Sequence, residues 1–264
     1  MTLNTTPGVE TTYEVGDATL HMVQGGSGRP ALVLHGIEGP EGWIEFHDRL
    51  SRDASVYAPA HPGFGETQRP EWLESITHQA AFYEWFLRDA SLEEVDLIGF
   101  GIGGWIAAEM AAMCSHNLAH LVLVGAAGIK PVEGEMLDIF VRRWRDVVEM
   151  CVDNPDAEEF QRIYTAAPIV DFGGHREAGR TMTMRMCYRP YMYDPALPAL
   201  LGSVRTPTLV VWGAEDRIIP VECGELYRQA IPDARLEVME DCGHWPHFEK
   251  PDALADVVTR FLAS

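Results

Sequence analysis

Apolar and polar positions fall into two alternating rhythms along this chain. Continuous apolar runs at 30–36, 95–100, 121–124 and 208–213 have the length expected of strands buried on both faces of a parallel sheet. Further strands are predicted at 10–15, 18–24, 55–58 and 235–239, the first two joined through Gly16-Asp17 as a hairpin. Between these runs, apolar residues recur at helical spacing. Over 75–90 the positions Ile76, Ala80, Tyr83 and Leu87 share one face. Helices are also predicted at 43–50, 106–113, 221–230 and 251–262, the last opening with Pro251. Strand and helix in alternation predict an α/β fold: a mostly parallel, eight-stranded sheet with helices on both faces.

From 129 to about 201 the alternation stops. A helix is predicted over 136–151, with Ile139, Phe140, Trp144, Val147, Val148 and Cys151 available to one face. Beyond it, Pro155, Pro168, Gly173-Gly174, Pro190, Pro195 and Pro198 break the chain into short pieces. The stretch reads as a helical lid, 129–201, inserted into a single core made of 1–128 and 202–264. At 264 residues there is enough chain for one large core with an insertion.

Composition narrows the partners. Forty acidic against twenty basic residues give a formal charge of -20, a field that repels phosphate backbones and anionic lipid surfaces. Nucleic acid and membranes are therefore not expected, and a small-molecule substrate or ligand is; a homodimer stays open. The five cysteines are scattered and include no C-x-x-C pair, which predicts neither a disulfide framework nor a metal site. No secretory signal is visible at the N-terminus, so a cytoplasmic protein is expected.

The candidate chemistry centres on Gly99-Phe100-Gly101-Ile102-Gly103-Gly104, where a buried strand turns sharply into an Ala-rich helix. The spacing is that of the G-x-S-x-G nucleophile elbow, in which flanking glycines let the helix pack close under a residue held at strained angles. Here the nucleophile position is Gly101. Three more motifs fall where strands give way to loops: Leu34-His35-Gly36-Ile37-Glu38-Gly39-Pro40, the run 210–220 containing Asp216, and the run 241–251 containing His244. Together with the elbow they make the chain, from about Ala31 onward, resemble the α/β-hydrolase fold superfamily, with similarity to carboxylesterases and to hydrolases that cleave carbon–carbon bonds of dienoic ring-cleavage products.

The resemblance implies particular roles. His244 would be the base and Asp216 its orienting acid, in the order nucleophile position, acid, base. The main-chain N–H groups of Ile37 and Ile102 would form the oxyanion hole, which does not depend on the missing serine. Glu38, Trp105, Trp144 and Tyr188 are candidates for the substrate pocket, although exposure is the simpler account of Glu38 and core packing that of the aromatics. His35, His61 and His247 read as structural, and Cys242 as a packing residue rather than a nucleophile. No cofactor is implied.

The expected function is thus that of a hydrolase-fold enzyme acting on a small, mainly apolar carbonyl substrate, an ester or a C–C bond. Gly101 leaves three accounts open: an inactivating replacement of serine, a binding protein that has lost turnover, or a dyad working without a protein nucleophile as a hydrolase, lyase or cofactor-free oxygenase.

Overall fold

The structure, a computed structural model, describes residues 8–164 and 175–264. Its frame is an eight-stranded sheet with the order β1-β2-β4-β3-β5-β6-β7-β8. These strands are β1 (Val9–Val15), β2 (Ala18–Gly26), β3 (Arg29–Leu34), β4 (Ala54–Pro59), β5 (Val95–Phe100), β6 (Leu118–Val124), β7 (Thr208–Gly213) and β8 (Arg235–Met239). β1 pairs antiparallel with β2, and β2 antiparallel with β4. Every other pairing is parallel. The middle strands β5 and β7 are buried along their whole length, which is why they read as unbroken apolar runs and not as alternating ones.

Helices connect the parallel strands, α1 (Glu45–Leu50), α2 (Ile76–Asp89), α3 (Gly101–Met113) and α8 (Glu222–Ala230), and the short α9 (Pro246–Glu249) and α10 (Pro251–Leu262) follow the last strand. Ser75 caps α2 by accepting the His78 N–H, satisfying one of the orphan donors of the first turn. α3 begins at Gly101 itself, five residues before its predicted start at Ile106. A side chain at Gly103 would collide with the carbonyl oxygens of Leu34 and His35, so glycine lets the helix lie against β3.

Between β6 and β7 the chain forms α4 (Trp144–Met150), α5 (Glu158–Tyr164), α6 (His175–Cys187) and α7 (Leu197–Leu201). The helix predicted over 136–151 is therefore shorter than its periodicity suggested. Over 136–143 the backbone bonds elsewhere: Leu137 N–H to the Ile218 carbonyl, and Ile139 N–H to the Tyr191 hydroxyl. Arg180 meanwhile takes the carbonyls of Phe140 and Arg142. These partners replace the bonds a helix would have made. Pro168 and Gly173-Gly174, expected to interrupt the lid, lie outside the described residues. Among the described residues no helix is long and apolar enough to cross a membrane.

Candidate active site

The site lies at the C-terminal ends of the central strands, where open α/β sheets place their ligands. β5 delivers Gly101 at φ +49°, a left-handed conformation that costs a residue with a side chain about 1–2 kcal/mol. There is nevertheless room for a side chain. A β-carbon built on Gly101 would stand 3.5 Å from Gly36 Cα and 3.5 Å from His244 Nε2, ordinary contact distances. Gly101 is thus a notch walled by the imidazole on one side and the Gly36 backbone on the other.

His244 is held in that wall from behind. Its Nδ1 lies 2.7 Å from Asp216 Oδ2, and both side chains are almost completely buried. The other carboxylate oxygen, Asp216 Oδ1, accepts the N–H groups of Ile218 and Ile219 at 2.8 and 2.9 Å. Asp216 is thereby fixed by its own loop, and it fixes the tautomer of His244: Nδ1 carries the hydrogen and Nε2, facing the notch, is left as the basic nitrogen. Burial pushes the imidazole pKa down, but the Asp216 charge and hydrogen bond, with the more distant Glu38 charge, outweigh it and hold His244 above its ordinary value. Glu249 secures the loop by accepting the N–H groups of Gly243, Asp153 and Asn154, so the base loop is tied to the start of the insertion.

The loop after β3 is held by a set of neutral histidines. His61 N–H donates to His35 Nε2 at 3.0 Å, so the His35 hydrogen is on Nδ1 and points to the Gly36 carbonyl, 2.8 Å away. His61 Nε2 in turn donates to the His35 carbonyl and its Nδ1 accepts the Tyr83 hydroxyl. Burial holds His35 down to about 4 and His61 well below the usual imidazole range. Neither can act as an acid–base group at neutral pH. The segment they fix carries Ile37, and Ile102 follows Gly101 in the first turn of α3.

Glu38 departs from the exposed position expected of it. It is buried, and folds back to accept the Gly36 N–H at 2.7 Å through Oε1. Beside it is His247, whose Nε2 stands 3.5 Å from the same oxygen and whose ring lies between Phe100 and Phe248. Glu38 Oε2 and both ring nitrogens of His247 make no hydrogen bond. Burial drives Glu38 up, yet His247, His35 and the backbone contact bring it to a net value below the carboxylate norm. Burial also holds His247 below the imidazole norm, with the Glu38 carboxylate opposing it. The sequence does not pair these two, which lie more than 200 positions apart.

Glu38 and His247 form part of the wall of a cavity of about 620 Å³, together with Ile37, Phe100, His47 and Arg176. The other three pocket candidates lie elsewhere. Trp105 is buried and donates its indole N–H to Glu109 at 2.9 Å. Trp144 packs at 6.3 Å from Trp245. Tyr188 is 46% exposed. The insertion reaches the site through a different aromatic: Tyr164 stacks on Trp245 at 5.2 Å and donates its hydroxyl to Glu41, which also binds Arg176 at 3.2 Å. Cys242 is buried, and burial with Glu249 nearby pushes its thiol up to about 12, so it is a poor nucleophile. Among the described residues no group of three or more His, Cys, Asp and Glu side chains could hold a metal ion.

Known proteins share this fold. The sequence pattern of the alpha/beta hydrolase family matches residues 31–257, and the chain belongs to that family. A 2-hydroxy-6-oxo-2,4-heptadienoate hydrolase of Pseudomonas putida is 28% identical, the match covering 94% of this chain and 93% of that protein. Among solved structures, a 2-hydroxy-6-oxo-6-phenylhexa-2,4-dienoate hydrolase from a Rhodococcus species superposes with a TM-score of 0.80 at 20% identity, covering 97% of this chain and 99% of that one. An esterase from Exiguobacterium antarcticum does so with a TM-score of 0.77 at 21% identity, covering 97% and 100%.

Proposed function

We propose that the protein is an enzyme that hydrolyses a small carbonyl compound, an ester or a ketone C–C bond, with water in place of a protein nucleophile. The observation that carries this reading is the open notch at Gly101. The space that a β-carbon would fill lies 3.5 Å from His244 Nε2, within reach of the only atom that a water oxygen there would need as its base. The similar hydrolases and esterase support carbonyl chemistry, and the intact His244–Asp216 pair supports turnover over simple binding.

In the proposed step the water oxygen bonds to the carbonyl carbon while its proton passes to His244 Nε2. The charge that forms on the carbonyl oxygen is met by the Ile37 and Ile102 N–H groups. On collapse the bond to the leaving group breaks, and the leaving alkoxide or carbanion takes the proton back from His244. Asp216 keeps the ring in place and stabilises its transient positive charge.

Turnover of a short-chain chromogenic ester tests the reading. The unaltered chain turns the ester over, and His244→Ala loses about 10²–10⁴ of the rate. A silent unaltered chain beside an active Gly101→Ser variant would overturn it and leave a hydrolase lacking its nucleophile.

A further inference from the structure

His244 is held at the Gly101 notch by its backbone as well as by Asp216. The loop that carries it meets the Asp216 loop directly where the Cys242 carbonyl accepts the Glu215 N–H at 2.9 Å. The residues on either side of His244, however, rest on a third piece of chain, residues 151–154 of the insertion. Trp245 N–H donates to the Cys151 carbonyl at 3.0 Å. Gly243 lies flat on the same segment: a β-carbon built there would stand 2.6 Å from the Cys151 carbonyl oxygen and 2.8 Å from Val152 Cα. The segment also reaches the Asp216 loop, since Arg217 donates to the Val152 carbonyl and stands 3.8 Å from Asp153. Residues 151–154 are thus a splint laid across both members of the dyad.

One side chain fastens the splint to the base loop. Glu249 is buried on α9; its Oε2 accepts the Gly243 N–H at 2.8 Å, and its Oε1 accepts the Asp153 N–H at 3.0 Å and the Asn154 N–H. Three backbone donors converge on two oxygens. A carboxylate accepts all three, whereas an amide of the same length has only one accepting oxygen and would set its own N–H groups against a donor. Asp216 does not depend on this clasp, because its Oδ1 is held by Ile218 and Ile219 of its own loop. Loss of Glu249 therefore frees the base while the acid stays in place.

We propose that Glu249 is a positioning residue for His244, clasping residues 151–154 to the base loop so that Nδ1 stays on Asp216 and Nε2 on the notch. The proposal rests on the reading of His244 as the base, but the geometry that Glu249 sets is measured on the resting protein. The insertion thereby takes part in the chemistry through its backbone, without a side chain of 151–154 entering the notch.

Proton NMR of the full chain at neutral pH decides it, through the downfield His244 Nδ1 proton shared with Asp216, assigned by its absence from His244→Ala. This proton is expected to be sharp in the unaltered chain, and in Glu249→Ala to move upfield and broaden by exchange with water. Glu249→Gln, which keeps the length and one accepting oxygen, should fall between the two. Turnover of a short-chain ester is read alongside: kcat should fall about 10²-fold in Glu249→Ala with KM nearly unchanged, and by less in Glu249→Gln. A merely structural role would lower the folded fraction and leave both the proton and kcat per folded molecule as they were. That result in Glu249→Ala would overturn the proposal; should Glu249→Ala fail to fold, the same result in Glu249→Gln would do so. A displaced proton in the variants beside an unaltered chain that is silent toward the ester would contradict the reaction and leave the positioning role standing.

Discussion

At the scale of single residues the account turns on His244, where two opposing effects meet. Burial alone would keep the ring neutral and weakly basic, while Asp216 at 2.7 Å raises its pKa above the ordinary value. A general base works only when unprotonated, so turnover should rise with pH through the His244 value and level off above it. Asp216→Asn removes the charge but keeps the shape. The rising limb should then move to lower pH and the plateau should drop by about 10²–10⁴-fold. A pH–rate profile of the two proteins checks this, and an unmoved limb in the variant would mean that another group is titrating. Gly101 has its own residue-scale logic. Its positive φ favours glycine, yet the space beside it would admit a serine, so the notch is a consequence of lacking a side chain and not of a reshaped backbone.

At the scale of elements, legibility followed the source of each element's stability. β5, β6 and β7 are specified by their own apolar runs because both faces are buried, and α2 by an apolar stripe that faces the sheet. All four could be read from the chain alone. The insertion could be read only as helical and broken. Residues 136–143 carry a helical pattern, but Tyr191, Ile218 and Arg180 capture their backbone groups from distant parts of the chain. Periodicity contains no trace of such partners. The site divides in the same way. Gly101, Asp216 and His244 are legible because each belongs to a local turn with its own glycines and a fixed spacing. The burial of Glu38 against His247 joins two loops far apart in sequence, and only the folded arrangement of β3, β5 and α9 brings them together. Trp105 shows the same limit: it is buried on α3 and donates its indole N–H to Glu109, a partner that its apolar spacing does not announce.

At the scale of the whole molecule, the buried imidazoles set how the fold responds to acid. His35 is held down to about 4 and His47 to about 3, in each case by burial. The unfolded chain therefore takes up protons first as pH falls below about 6.5, and stability present above that pH is lost progressively toward those lower values. Glu38, also lowered, adds to the loss at lower pH still. His244 runs the other way, since its raised pKa contributes stability that is present below about 6.5 and lost as pH rises through its folded value. Glu84, pushed up to about 7 by burial, runs the same way as His244. An NMR titration of the imidazole protons should find the His35 and His47 rings still neutral at pH 5, and rings that take up a proton between pH 7 and pH 5 would show that burial does not hold them down. The fold keeps the His244–Asp216 pair beside a position without a side chain, and the proposal that this pair activates water there is the central claim. It is tested most directly by intact-mass analysis of acid-quenched protein during turnover of a short-chain ester. The account predicts product release with no acyl group on the unaltered chain and an acyl adduct on Gly101→Ser, whereas an acyl adduct on the unaltered chain would contradict it.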